Sequence, residues 1–223
     1  MIVVHHLNNS RSQRVLWLLE ELGLDYEVRR YERDPHTMLA PPELQAVHPL
    51  GKSPVIADGD LVLAESGSIV QYLIERHGAG RLRPAAGTPQ AWRYAYWLHY
   101  AEGSLMPPLL LKLVFDRIGK AKMPFFVRPV ARAIADKARQ RYVLPQLQRH
   151  LDYLEQELHK SPWFAGEEFS GADVLMSFPL EIATVRVGLD ATRPRLVDFL
   201  ARIHARPAYQ RALARGGEFG IIG

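Results

Sequence analysis

Apolar and polar positions in the first third of the chain fall into short blocks of contrasting period. Ile2-Val3-Val4 predicts a strand that ends at His5-His6. After the polar run NNSRS, Val15, Leu16, Leu18, Leu19 and Leu22 recur at helical spacing, and Gly23 is placed to end that helix. Tyr26 to Arg30 alternates as a second strand, so the strand–helix–strand unit is compatible with a parallel pair. Pro54-Val55-Ile56, the turn Asp58-Gly59-Asp60 and Leu61-Val62-Leu63 predict two strands joined by a tight hairpin. A helix from Ser66 to about Arg76 follows, stopped by Gly78. The order is βαβ, a variable loop, then ββα.

The pattern then changes. GAGRLRPAAGTP concentrates Gly, Pro and Ala and places a linker at residues 78–88, between a first domain ending near residue 80 and a second spanning 89–223. Beyond it the spacing predicts helices alone: Gln90 to Asp116, bent at Pro107-Pro108; Val127 to Leu158, kinked at Pro145; then Ala172 to Val187, Pro194 to His204 and Pro207 to Ala214. In the glycine-rich tail GGEFGIIG, Phe219 and Ile221 are positioned to fold over a cleft.

Composition narrows the chemistry. The chain of 223 residues has no cysteine, so a catalytic thiolate, a redox pair or a thiolate metal site is excluded, and any thiol chemistry must arrive with a ligand. No stretch approaches the roughly 18 apolar residues of a membrane span, which makes a cytoplasmic protein the expectation. The net charge of +4 hides an asymmetry: residues 1–80 carry 7 Lys/Arg against 11 Asp/Glu, and the rest carry 21 against 13. The basic excess is densest from Arg117 to Arg149, but its charges alternate with Val, Ala, Ile and Leu. That is the pattern of amphipathic helices, and no nucleic-acid surface is expected from it. His5 and His6 are adjacent in a strand and point to opposite faces, so no metal is expected there.

Three segments carry candidate chemistry. Asn9, Ser10 and Ser12 cluster at the start of the first helix, where free backbone N–H groups and the helix dipole stabilise an anion, a thiolate included. A free thiol has a pKa of about 8.5, and lowering it by about two units takes roughly 2.7 kcal/mol. One charge-assisted hydrogen bond of about 1.5–3 kcal/mol suffices, so a single hydroxyl is adequate; helix capping alone accounts for the same residues. In His48-Pro49-Leu50-Gly51-Lys52-Ser53-Pro54, a cis Ser53-Pro54 bond would leave the Ser53 N–H and C=O for an extended peptide, with Lys52 suited to a terminal carboxylate. In Ala64-Glu65-Ser66-Gly67-Ser68, Ser66 is a plausible N-cap, Glu65 suits an α-amino group, and Ser66 with the next N–H suits an α-carboxylate. Each segment alone fits capping or a solvated surface; their conjunction in this order points to a site for a small anionic peptide.

SRSQRVLWLLEELGLDYE, PPELQAVHPLGKSPVI and LAESGSIVQYL together resemble the N-terminal half of the cytosolic glutathione transferases, in the bacterial and fungal branch that uses neither tyrosine nor cysteine at the active position. Phe169-Ser170-Gly171-Ala172-Asp173 resembles that family's helix-capping motif. The resemblance implies an α/β thioredoxin-like N-terminal domain followed by an all-α domain. It implies a homodimer that binds glutathione as co-substrate and conjugates its thiol to a hydrophobic electrophile. Carried over position by position, Ser10 or Asn9 activates the thiol, with Ser10 favoured as a hydroxyl. Lys52, Ser53 with Pro54, Glu65 and Ser66 match the glutathione contacts, and Tyr100, Ser104 and Met106 are candidates for the electrophile pocket. Two other readings share the fold. One is glutathione-dependent peroxide or disulfide reduction. The other is a non-enzymatic adaptor, supported by the basic stretch Arg128 to Arg141 and opposed by the complete Lys52, Ser53, Glu65 and Ser66 set.

Overall fold

The computed structural model describes residues 1–217 and Gly220, so Phe219 and Ile221 lie outside the described residues. Four strands, β1 (Ile2–Leu7), β2 (Tyr26–Tyr31), β3 (Val55–Asp58) and β4 (Leu61–Ala64), form one sheet in the order β2-β1-β3-β4. β1 and β2 are parallel, with Ile2 opposite Tyr26, and the other two pairs are antiparallel. The parallel pair is joined by helix α1 (Ser12–Leu22), as a right-handed crossover requires. Gly23 ends it in the left-handed conformation at φ 69°.

The variable loop holds a short helix, α2 (Pro42–Val47), that the apolar spacing did not announce. Its signal was the proline at the first helical position with Glu43 in the first turn, and only Leu44 is buried. Helix α3 (Ser66–His77) follows β4. Ser66 is its first helical residue, and Glu65 takes the cap position at φ 69° with no side-chain cap bond, so the N-cap role expected of Ser66 does not hold.

The remaining described residues form helices only. α4 (Pro89–Tyr100) and α5 (Met106–Lys120) are separated by a π-helical segment, Ala101–Leu105. α6 (Arg128–Ala138) and α7 (Leu144–Lys160) are separated by a second, Arg139–Val143. In both places, where a proline bend was expected, the π-helical segment lies just before the prolines. Pro107-Pro108 and Pro145 sit in the first turn of the new helix, where a missing N–H costs nothing, and the wider turn before them absorbs the lost hydrogen bonds. α8 (Gly171–Arg186), α9 (Pro194–His204) and α10 (Pro207–Gly216) complete the chain.

α1 is the centre of the molecule. Its apolar stripe predicts one buried face, yet Ser12 through Leu19 are all buried, because the sheet and α3 pack on one side and α8 and α10 on the other. Two glycines permit the approach. A Cβ at Gly171 would sit 2.4 Å from Ile74 Cδ1, and one at Gly216 would sit 2.3 Å from Gln13 Oε1. α10 is also clamped electrostatically to α1, Arg206 to Glu21 at 2.5 Å and Arg211 to Glu20 at 2.7 Å.

α8 opens with a capping box. Asp173, fully buried, accepts from the Ser170 N–H at 2.8 Å and the Ser170 hydroxyl at 3.0 Å, and its other oxygen accepts from the Phe164 N–H at 2.9 Å. Burial pushes its carboxyl up to about 6 against those bonds. Asp173→Ala strands all three donors, and a loss of about 3 kcal/mol or more in urea unfolding is expected; a loss under about 1 kcal/mol would show the cap to be dispensable.

Candidate functional site

Two clefts meet at the start of α1. The first is polar and gathers the second and third sequence segments: His48, Leu50, Lys52, Ser53, Pro54, Ala64, Glu65 and Ser66, with Arg11 and Glu102 on its far wall. The sheet order explains the gathering, since the loop before β3 and the loop after β4 lie at the same end of one antiparallel pair. The Ser53-Pro54 bond is cis, as its sequence context suggested. Lys52 and Glu65 are exposed, and among the described residues neither forms an ion pair. The first-turn N–H groups of α3, from Ser66 on, lack intrahelical partners.

The second cleft has apolar walls, Met38, Met106, Leu110, Leu113, Phe178 and Ile182, and a polar rim of Asn9, Arg11, Arg33, Arg117 and Arg186. Arg11 lines both clefts, which are therefore adjacent. Three of the five non-glycine residues with positive φ, Asn9 (49°), Met38 (61°) and Glu65 (69°), line these clefts. Backbone held in that region costs free energy and concentrates at functional sites.

Ser10 and Asn9 are placed differently. Ser10 is 4 % exposed; its Oγ lies 2.7 Å from Ser12 Oγ and 3.3 Å from Ser53 Oγ and accepts from the Ser12 N–H at 3.2 Å. Ser12 Oγ lies in turn 2.9 Å from His6 Nδ1. Burial, then Arg30, depresses the His6 pKa to about 4, with a hydrogen bond to the Gly216 backbone opposing them. The ring is therefore neutral at pH 7. His6 Nδ1, Ser12 Oγ, Ser10 Oγ and Ser53 Oγ thus form one interior chain, in which the Ser10 hydroxyl donates to Ser53 Oγ. Asn9 faces the apolar cleft, and its Oδ1 is buried without a partner among the described residues.

Of the proposed electrophile contacts, Met106 lines the second cleft. Tyr100 does not: it is 6 % exposed, its hydroxyl bonds His150 Nδ1, and its ring lies against Trp97 and Tyr153 inside the helical half. The spacing of α4 turns it toward α7, away from α1. Ser104, in the first π segment, is half-buried and lines neither cleft.

Sequence reading missed an ionic knot that ties the clefts together. Arg14, 1 % exposed at its side chain, donates to Leu175 O at 2.6 Å and pairs with Glu102, which also holds Arg11 at 3.0 Å. Burial would raise the Glu102 carboxyl, but Arg14 and Arg11 outweigh it and hold it below its ordinary value. Both arginines also lie over the Phe178 ring, at 5.5 and 5.4 Å from its centroid. The available signal was a charged residue, Arg14, inside the apolar block of α1.

Residues 1–75 match the family model for the glutathione S-transferase N-terminal domain, and 114–207 the model for the C-terminal domain. The chain is 36 % identical to glutathione S-transferase 1 of Saccharomyces cerevisiae, covering 98 % of each chain. It is 36 % identical to glutathione S-transferase 3 of Schizosaccharomyces pombe, over 81 % of this chain and 73 % of that one. A solved glutathione S-transferase from Actinobacillus pleuropneumoniae superposes with a TM-score of 0.83 at 37 % identity, covering 99 % of this chain and 95 % of the other.

Glu102→Gln leaves Arg14 buried without a full counter-charge, and a loss of about 2 kcal/mol in denaturant unfolding at pH 7 is expected, since the carboxylate is 29 % exposed. Because folding lowers this carboxyl from 4.5, its contribution is complete above that pH and lost as pH falls through the folded-state value. The variant should therefore show a flatter loss of stability in acid than the parent; parallel curves would remove Glu102 from the account.

Proposed function

The chain belongs to the glutathione S-transferase family, and from that premise we propose that it binds glutathione in the polar cleft, stabilises its thiolate and transfers the sulfur to a hydrophobic electrophile in the apolar cleft. The observation that carries this reading is the convergence of Lys52, Ser53, Pro54, Glu65 and Ser66 on one cleft that shares Arg11 with an adjacent apolar one. Lys52 takes the glycine carboxylate. The Ser53 backbone pairs with the cysteinyl residue and Pro54 packs beneath it. Glu65 takes the α-amino group of the γ-glutamyl residue, and Ser66 with the following N–H groups takes its α-carboxylate.

Asn9, rather than Ser10, activates the thiol in this reading. Ser10 has one hydroxyl proton, and Ser12 at 2.7 Å and Ser53 at 3.3 Å compete for it inside the protein. Turning it to a ligand would break an interior chain that also holds the start of α1. Asn9 faces the cleft and carries amide N–H donors, so it reaches a sulfur without rearrangement. In this reading the protein is of the branch that uses neither tyrosine nor cysteine at the active position, a cytoplasmic homodimer that takes glutathione as co-substrate and needs no metal. Among the described residues no helix is long and apolar enough to cross a membrane. The reductase and adaptor readings are not favoured, because the 36 % identical relatives are named glutathione S-transferases.

Steady-state kinetics with 1-chloro-2,4-dinitrobenzene tests the assignment. Asn9→Ala removes a charge-assisted bond of about 1.5–3 kcal/mol, so kcat/KM should fall roughly 10- to 100-fold. Lys52→Ala should raise the KM for glutathione several-fold with little change in kcat. Ser10→Ala should show its main effect as lost thermal stability; abolished turnover in a fully folded Ser10→Ala, with Asn9→Ala active, would reverse the roles.

A further inference from the structure

The apolar cleft is unusual in its charge. Arg11, Arg33, Arg117 and Arg186 line it, no carboxylate lines it among the described residues, and Arg14 lies just behind Arg11. Among the described residues Glu102 is the only carboxylate that forms an ion pair with any of these five guanidiniums, and Arg11 and Arg14 share it; Asp116 near Arg186 and Glu181 near Arg14 act only at longer range. The neighbouring carboxylate, Asp116, is held by Lys112 and Arg139, both at 2.6 Å. Arg33 is positioned by neutral carbonyls, those of Asn8 at 3.3 Å and Met38 at 3.1 Å. Arg186 donates to the Leu109 carbonyl at 3.1 Å and keeps a buried Nε with no partner among the described residues. Arg117 is exposed and forms no ion pair among the described residues.

We propose that the electrophile this enzyme takes is an amphipathic anion, an apolar body seated against Met106, Phe178 and Ile182 with a carboxylate-type head group received by Arg117 and Arg186. The proposal rests on the transferase reading above and names the substrate class for its second cleft. Two physical arguments carry it. Like charges around one apolar space repel, and an anion in that space relieves the repulsion while an apolar neutral molecule deepens it by displacing water. Burial is the main cause that depresses the pKa of Arg186 and of Arg33; Arg117 adds to it at Arg186, where Asp116 opposes, and Arg11 adds to it at Arg33. Second, a guanidinium presents paired donors that match the two oxygens of a carboxylate, and Arg117 and Arg186 both line the cleft. For an aryl chloride of this kind the glutathione sulfur bonds to the ring carbon that bears chlorine. The C–Cl bond then breaks with its electron pair leaving as chloride, and the thiol proton passes to water.

The test compares 4-chloro-3,5-dinitrobenzoate with its methyl ester, each rate divided by its uncatalysed rate with glutathione. The parent enzyme should favour the carboxylate in kcat/KM by roughly tenfold or more, and Arg117→Gln and Arg186→Gln should each cut that preference about fivefold, within the range for a hydrogen bond to a charged group. An arginine that only supports the fold lowers both rates together and leaves the preference intact, which would overturn the proposal, as would a parent preference for the ester. Arg186→Lys keeps the charge and should retain more of the preference than Arg186→Gln; Arg117, on the surface, supplies a variant that folds. A parallel fluorescence titration without glutathione compares 8-anilinonaphthalene-1-sulfonate with N-phenyl-1-naphthylamine. Tighter sulfonate binding that weakens in both glutamine variants, with neither aryl chloride conjugated, would leave the anion-receiving cleft standing and overturn the transferase reading. Equal binding of the two dyes would overturn the anion proposal.

Discussion

Everything at the site depends on burying Arg14. A guanidinium at 1 % exposure cannot sit inside a protein without a counter-charge, and the counter-charge comes from Glu102 on the helical half. That pair fixes the first turn of α1 against the π segment between α4 and α5, and Arg11, on the same carboxylate, becomes the wall shared by both clefts. Asn9 and Ser10 immediately precede that anchor. Ser10 is held by Ser12 and Ser53 within its own domain, while Asn9 stands beside it at φ 49°.

The charge asymmetry of the sequence acquires a role in the same way. The acidic first half and basic second half meet along α1 and α10, where Glu20 and Glu21 receive Arg206, Arg211 and Arg215. Glu20 also accepts from the Tyr26 hydroxyl at 2.8 Å, and Arg215 covers that ring. Much of this surface pairing is individually weak. Its value is orientation: it turns α10 so that Gly216 passes over Gln13 and its backbone reaches His6, closing the interior chain His6–Ser12–Ser10.

The strands and α1, α3 and α9 were legible because each has an unbroken local period, and the polar cleft was legible because its residues come from two short contiguous loops. The rest was not, for identifiable reasons. Period alone could not tell that α1 is buried on every side, since that depends on α8 and α10, more than a hundred residues away. The π segments carry ordinary helical spacing, and only the prolines just after them mark where hydrogen bonding must change. Tyr100 was misplaced because only about half a turn of helix, roughly two residues, separates a residue facing α1 from one facing α7. Arg33, Arg117 and Arg186 lie far apart in the chain and read singly as surface charges; only the fold assembles them around one cleft.

Chemically, thiol activation is the smaller part of catalysis. A pKa lowered by about two units raises the thiolate fraction at pH 7 about 25-fold, and a Brønsted coefficient of about 0.5 gives back roughly tenfold in nucleophilicity. Positioning the electrophile against the sulfur supplies the remainder, which is why the anchoring of α1 and the charge of the second cleft matter more than any single hydroxyl. The most direct test is an ultraviolet difference titration of the protein with glutathione across pH, which reads binding and the pKa of the bound thiol together. The account predicts saturable binding with the thiol pKa at least about one unit below its free value of about 8.5. Saturable binding with an unshifted thiol, or no binding at millimolar glutathione, would contradict it.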